Sequence, residues 1–321
     1  MNAYRHPASL VIVSESQLDP AHDRCPICDS GRRASLVRVL RVPDVWLLYC
    51  HECHACSASR MPTAQALAEI YSSFWSKATA RDEQVIFDHP ERLARHLSRA
   101  LVRRLAGETI RILDFGGGDG TMSVMLGEDL LAAGSCGQVQ ITVVDVSGHA
   151  RESTGRVSIE HRRGLDEVRD LSQDFVMASA VLEHVPSPAV IIRKLLGSLR
   201  PGGIFYARTP FMRPLLRALP FPSISNQLFP YPMHLHDMGP DFWKTSLRVL
   251  GMGPGFEIVI SRPTMSEGTF DKHFLRTLAA RALKAPWRLL GDRYGLVGGW
   301  EVFIRRFPAI AERAVPAMGH G

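Results

Sequence analysis

The sequence predicts an α/β protein, a doubly wound and mostly parallel sheet preceded by a small cysteine-rich module. Three observations carry this. From residue 107 onward, short apolar runs of strand character alternate with segments of helical period, the pattern of a parallel sheet covered by helices on both faces. The first of those runs feeds a glycine-rich bend, RILDFGGGDGT at 111–121, with four glycines in five positions. Five of the six cysteines, Cys25, Cys28, Cys50, Cys53 and Cys56, fall early, and only Cys136 lies elsewhere.

The composition sets bounds on this reading. A chain of 321 residues, 45% hydrophobic and 22% charged, is an ordinary globular one with enough length for one large domain or two moderate ones. A formal charge of +6 suggests an anionic ligand or surface at most, and a solvated basic face accounts for it equally well. The apolar patch Leu10 to Val13 is too short for the core of a signal peptide, and no run approaches the length of a membrane span. A cytoplasmic protein is therefore expected, with no integral membrane association. In a reducing compartment its cysteines would be thiols or metal ligands rather than disulfides.

The elements follow in order. Between the cysteine pairs, SLVRVLRVPDVWLLY reads as short strands with a turn at Pro43-Asp44. PTAQALAEIYSSFW and HPERLARHLSRALVRRLAG read as helices, the second opened by a proline and closed by a glycine. Arg92, Arg95, Arg99 and Arg103 share one face of it, best read as a wet helix face. TIRILDF is a strand, TMSVMLGEDLLAAG a helix, QVQITVVDV a second strand and VSIEH a weaker one. DFVMASA is a clear strand, then SPAVIIRKLLGSLRPGG a helix stopped by Pro201-Gly202-Gly203, then IFYART a strand. Near the end, GFEIVISR and GWEVFIRR are strand-like and flank a basic helical insertion.

In such a sheet, ligands bind at the carboxyl ends of the strands. Glycines there let a ligand approach the backbone and tolerate positive φ. The pyrophosphate fingerprint fails, because counting from Gly116 its sixth position is Thr121, and no Gly-Lys-Ser/Thr follows for a nucleotide P-loop. Asp114, Gly116, Gly118 and Gly120 alternate instead. A carboxylate beside the bend suits a ligand carrying positive charge.

ILDFGGGDG resembles the first motif of class I S-adenosylmethionine-dependent methyltransferases, written LD-x-G-x-G-x-G. Asp145, 27 residues beyond Gly118, resembles the acid that takes the ribose hydroxyls of that cofactor. DFVMASAVLEHVPSP resembles the Leu-Glu-His-Val segment after the fourth strand of small-molecule methyltransferases, and LRPGGIFYARTP their entry to the fifth. The resemblance covers about residues 105–310. It implies a seven-stranded Rossmann-like sheet closed by an antiparallel pair that the insertion splits. It also implies S-adenosyl-L-methionine (SAM) held by Asp114, Gly116, Gly118, Gly120, Asp145, Asp166 and Ala180, with Asp166 at the adenine edge.

Cys25-x2-Cys28 and Cys50-x2-Cys53, 21 residues apart, can present four thiolates tetrahedrally to a structural zinc. Cys56, His51 and His54 compete for the second pair; the run VWLLY leading into Cys50 favours Cys50 and Cys53. A zinc ribbon ahead of this core resembles bacterial enzymes that methylate sugars and other small metabolites, in which the ribbon and the following helix help form the acceptor site. Tyr71 and Trp75 lie on that helix. Three parts are expected: the N-terminal segment and ribbon at 1–62, linking helices at 63–106, and the methyltransferase domain at 107–321 with its insertion at about 266–296.

Methyl transfer needs an aligned nucleophile and often a base, for which histidine is suited. His184, at the carboxyl end of the fourth core strand, and His234 and His236, in YPMHLHDM, are the candidates. Tyr231-x-x-His234 resembles a Tyr-x-Glu-His run of sugar C-methyltransferases, with Met233 at the acidic position. Glu183-His184 resembles the Glu-x-x-Glu-His of magnesium-dependent methyltransferases, but Ala180 stands at the first acidic position, which argues against a catalytic metal. The function expected is methyl transfer from SAM to a small-molecule acceptor such as a sugar, sugar nucleotide or secondary metabolite. The alternative is an RNA methyltransferase gripping nucleic acid with the ribbon and the basic helices; the small net charge weighs against it.

Overall fold

A computed structural model describes residues 13–78, 89–146, 151, 153–219, 228–264 and 270–308. Two sheets organise it. The larger has seven strands: β4 (Gly107–Phe115), β5 (Cys136–Val144), β6 (Val157–Arg162), β7 (Gln173–Ser179), β8 (Leu199–Phe211), β10 (Phe256–Pro263) and β11 (Gly298–Arg306). Their spatial order is β10-β11-β8-β7-β4-β5-β6. The five strands from β6 to β8 run parallel, and β11 and β10 close the sheet antiparallel. The expected doubly wound α/β sheet of seven strands is thus present. Strand order reverses between β4 and β7, so the carboxyl ends of those two strands flank the crevice where such sheets take their ligands.

The smaller sheet contains β1 (Arg33–Leu40), β2 (Val45–Cys50), β3 (Cys56–Ala58) and β9 (His236–Asp237). The first two are the strands expected between the cysteine pairs; β3 follows the second pair and adds to them. The fourth comes from far along the chain: β9 pairs antiparallel with β3, Cys56 opposite Asp237 and Ser57 opposite His236. The YPMHLHDM segment after β8 therefore completes the ribbon, and a strand crosses the boundary drawn at residue 62.

Helices cover both faces of the large sheet. On one face, α2 (Pro90–Leu101) buries Leu93, Leu97 and Leu101 beside α3 (Thr121–Ala132), each contributing about 1.5–3 kcal/mol. Arg95, Arg99 and Arg103 point to solvent, as read. On the other face, α4 (Pro188–Ser198) and α6 (Pro240–Val249) pack on β7 and β8 around Phe205, Trp243 and Trp300. The buried cysteines Cys25, Cys50 and Cys53 belong to this same core, so the ribbon sits against α6. Thr245 Oγ1 donates to the Cys53 carbonyl at 3.3 Å and Arg248 pairs with Glu52 at 2.9 Å. A third core gathers Val39, Leu47, Ile70, Leu216, Phe229 and Leu235 between the ribbon sheet, α1 (Ala64–Ala78) and α5 (Arg213–Ala218). Asp237, paired with Cys56 in the β9–β3 junction, caps α5 by accepting the N–H groups of Met212 and Arg213.

One detail departs from the sequence reading. The strand after α4 begins at Leu199, so Pro201-Gly202-Gly203 lies within β8 rather than ending the helix. The insertion holds α7 (Phe270–Lys284) and the short α8 (Trp287–Leu290).

Candidate active site

The glycine bend leaves β4 and enters α3. Gly116, Gly118 and Gly120 all have positive φ, at 75°, 59° and 83°. Their surroundings differ. A β-carbon on Gly116 would lie 2.6 Å from Val181 Cγ2, and one on Gly120 would lie 2.4 Å from Ile159 Cδ1. At both positions the protein itself occupies the space. At Gly118 nothing lies within 4 Å, so this is the glycine whose bare backbone is open to a ligand. Asp119, two residues before α3 begins, accepts the N–H and hydroxyl of Thr121 on its carboxylate at 2.9 and 2.8 Å.

Two carboxylates frame the bend. Asp145, just past the end of β5, accepts the Gly118 N–H on Oδ2 at 2.9 Å. Asp114 is 2% exposed and lies under Gly117, where a β-carbon would meet its carboxyl at 2.4 Å. Burial pushes Asp114 up to about 7, with the charges of Asp145 and Asp119 adding to the rise and a bond from Ser123 opposing it. Its Oδ2 has no partner. The bend therefore combines an open glycine, a carboxylate at the neighbouring strand end and a buried acid short of donors, features that fit a cationic nucleoside. Asp166 is exposed on a short turn after β6, and Ala180 has φ 56° with its N–H bonded to the Arg208 carbonyl.

The histidines lie beyond β7, where 183–185 and 233–236 are strapped together. The Leu235 N–H donates to the Glu183 carbonyl at 2.7 Å, His184 Nδ1 faces the Met233 carbonyl at 2.8 Å, and His236 Nε2 faces the Val185 carbonyl at 3.0 Å. A carbonyl can only accept, so Nδ1 carries the proton of a neutral His184 and its Nε2 is left basic. The His184 and His234 rings meet edge to face at 4.9 Å. Ring nitrogens of both and a carboxylate oxygen of Glu183 lie within 4.8 Å of one another, donor types that can share a proton or hold a divalent ion. Tyr71 borders this group, its ring 6.3 Å from His184 and its hydroxyl 3.4 Å from the His184 carbonyl. The side chain of Trp75 falls outside the described residues.

His236 does not join them. It is fully buried, with Nδ1 on the Ser57 hydroxyl at 2.9 Å and Nε2 on Val185, and burial lowers it to about 4. Both nitrogens are engaged, and the ring binds the ribbon sheet to the loop after β7. This geometry sets His236 apart from the group around His184.

The four cysteines come together on two equivalent knuckles. Asp29 N–H bonds the Cys25 carbonyl and His54 N–H the Cys50 carbonyl; Cys25 N–H bonds Ser30 and Cys50 N–H bonds Ala55. Asp29 and His54, each following the second cysteine of its pair, have φ near 60°. Cys25 Sγ lies 3.7 Å from Cys53 Sγ and Cys28 Sγ 3.5 Å from Cys50 Sγ, with all four sulfurs within 4.8 Å. Cys56 lies apart, buried in β3, and His54 Nδ1 bonds the Tyr49 hydroxyl. The choice of Cys50 and Cys53 matches this gathering.

Sequence reasoning missed Val181 and Ile159 as the reasons for two glycines, Ser57 as the partner of His236, and Arg208. The last had a signal, a lone cation inside the apolar run IFYARTPF.

The strand order, with β11 antiparallel beside β8 and the glycine bend at the end of the central strand, defines a methyltransferase fold. A family profile described as a methyltransferase domain matches residues 87–259, over half of the chain, and the chain belongs to that family. It is a SAM-dependent methyltransferase. Solved structures similar to it include a SAM-dependent methyltransferase from Mesorhizobium loti (20% identity, 66% of this chain and 96% of that one, TM-score 0.41). Others are the plantazolicin methyltransferase BpumL with a triazolic desmethylPZN analog and S-adenosylhomocysteine (SAH) (14%, 76% and 92%, 0.46) and loganic acid methyltransferase with SAH (9%, 71% and 98%, 0.41). No curated protein sequence matches the chain.

Proposed function

We propose that the enzyme methylates a small-molecule acceptor and that His184, backed by His234 and Glu183, removes the acceptor's proton. The observation that carries this is the His184 tautomer: the Met233 carbonyl holds Nδ1–H at 2.8 Å, which leaves Nε2 basic at the carboxyl end of β7. When bound, the cofactor supplies an electrophilic methyl. Gly118 would admit its backbone-side edge, Asp145 would take its ribose hydroxyls, and Gly116, Gly120, Asp166 and Ala180 would shape the remaining wall. Asp114, under the bend, would complement its positive charge. Edge-to-face contact with His234 and proximity to Glu183 would orient His184 for this.

Cys25, Cys28, Cys50 and Cys53 have the donor chemistry and closeness of a structural zinc site, whose four thiolates would leave no open position. Such thiols fit a reducing cytoplasm. Among the described residues no helix is long and apolar enough to cross a membrane. Nucleic acid gains no support from the insertion, whose exposed large apolar side chains include Leu275, Leu278, Leu289 and Leu290.

The test is SAH release from purified enzyme over a panel of sugars, sugar nucleotides, phenols and RNA. Turnover with a small molecule, lost in His184→Gln while the SAH Kd is unchanged, supports the reading. Turnover confined to RNA, or full activity in His184→Gln, overturns it.

A further inference from the structure

We propose that the acceptor carries an oxyanion, a carboxylate or a phosphate, and that Arg208 with Ser179 binds it; this deepens the acceptor reading given above and rests on it. Arg208 lies on β8 near its carboxyl end, opposite Ser179 of β7 in the parallel ladder. It is 3% exposed, yet Nε, Nη1 and Nη2 have no hydrogen-bond partner. Ser179 Oγ is also buried without one. Two neighbouring donors, one of them cationic, are thus kept out of water with nothing to donate to.

The carboxylate paired with Arg208 across the β8–β11 ladder is already engaged. Glu301 lies opposite Arg208 in the antiparallel β8–β11 ladder. Its carboxylate takes His96 Nε2 at 2.9 and 3.1 Å, Arg262 Nε at 2.6 Å and the Tyr206 hydroxyl at 3.3 Å. Arg262 balances the Glu301 charge, and Arg208 makes no bond to it.

Burial of an unpaired charge is strongly unfavourable, and buried polar groups in native proteins are nearly always satisfied. A lysine could shed its proton in such a place, but a guanidinium does not. The planar fork of an arginine instead matches the two oxygens of a carboxylate or phosphate, and a hydroxyl beside it supplies one further donor. The location agrees. Ala180, which follows Ser179, bonds its N–H to the Arg208 carbonyl, and Val181, next along, presses on Gly116. The donors therefore stand at the same strand ends as the cofactor bend and one short loop from His184. An anion seated there would hold the acceptor by a point removed from its reacting atom.

The experiment uses the full chain with SAH binding measured alongside. Matched acceptors are offered with SAM: carboxylic acids against their primary amides, and sugar phosphates against the free sugars. The expected result is turnover at least 100-fold better for the anionic member of one pair type, which identifies carboxylate or phosphate. Arg208→Met should lower kcat/KM for that acceptor at least 100-fold, Arg208→Lys should recover part of it, and the SAH Kd should not move. In a parallel melting assay on the SAH-bound enzyme, inorganic phosphate and acetate are the probes. At least one should raise the wild-type melting temperature and neither that of Arg208→Met, which should itself melt above the anion-free wild type because an uncompensated charge is gone.

Equal turnover of both members of every pair would overturn the proposal. So would an Arg208→Met variant that melts lower and loses SAH affinity along with turnover, since Arg208 would then serve the cofactor or the fold. If no acceptor turns over, the melting assay decides: a wild type indifferent to both anions overturns it. Intact SAH binding with loss of anion response separates this failure from failure of the methyltransferase site.

Discussion

The Gly118 N–H donates to Asp145 Oδ2 at 2.9 Å, which ties the open point of the glycine bend to the end of the adjacent strand. A carboxylate can accept more than one hydrogen bond, so ribose hydroxyls could add to this one. Asp145→Ala should weaken SAH binding by about 100-fold, from the loss of charge-assisted bonds of about 1.5–3 kcal/mol each. Calorimetry checks this, and the expectation fails if the Kd moves less than threefold.

The three positive-φ glycines should separate in a mutational test. Gly116→Ala drives a methyl into Val181 as well as straining φ, and should destabilise the fold by about 2–4 kcal/mol. Gly118→Ala meets open space, so it should cost about 1–2 kcal/mol of backbone strain and act mainly on SAH affinity. Denaturant unfolding and calorimetry on both variants give the comparison; equal loss of stability at the two positions would contradict it.

Asp114 gives the apoprotein a definite pH dependence. Its folded value, raised to about 7 by burial, lies above that of the unfolded chain, so the folded state retains a proton that the unfolded state has released. Stability from this group is full below pH ~4 and is lost as pH rises through ~7. Asp114→Asn removes that loss. Its melting temperature should exceed that of the wild type at pH 8, and the gap should close toward pH 4. Asp237, raised to about 7 by burial, contributes the same slope to both proteins. Parallel melting curves across this range would refute the assignment.

The cysteine cluster predicts one tightly held zinc per chain. Stripping it with a strong chelator, or Cys25→Ser, should lower the melting temperature and release one equivalent by metal analysis. His184 offers a contrast. Brief EDTA treatment that leaves the cluster loaded should spare turnover, whereas His184→Gln should reduce kcat by about 10²–10⁴. If EDTA alone abolishes turnover, Glu183, His184 and His234 hold an ion and not a proton.

His236→Ala should behave as a packing variant. Emptying a fully buried ring that bridges Ser57 and Val185 should lower stability by about 2–4 kcal/mol, and kcat of the folded fraction should stay near wild type. Loss of kcat without loss of stability would restore it as a candidate base.

The sheet was legible because its signals are local. TIRILDF, QVQITVVDV and DFVMASA are apolar runs of strand length, and the bend after the first is unusual enough to place the cofactor. The knuckles were legible through cysteine spacing. What escaped is long-range. That His236 faces Ser57, 179 residues away, depends on β9 joining β3, and two residues of strand carry no periodicity. His184 and His236 look alike as histidines near a proline-rich loop; only the partners of their nitrogens tell them apart. Arg208 was visible as a cation in a strand, but its lack of partners is a property of the packed interior.

The β9–β3 pairing makes the ribbon a co-owner of the catalytic end. The chain that threads back to finish the small sheet also carries His234 against His184, so the cysteine knuckles and the proposed base share one hydrogen-bonded seam. A fragment trimmed to the family-matched region from residue 87 would lose the β3 side of that seam, including the Ser57 partner of His236. Thiol oxidation in the knuckles would reach turnover by the same route, without touching a single atom of the cofactor crevice.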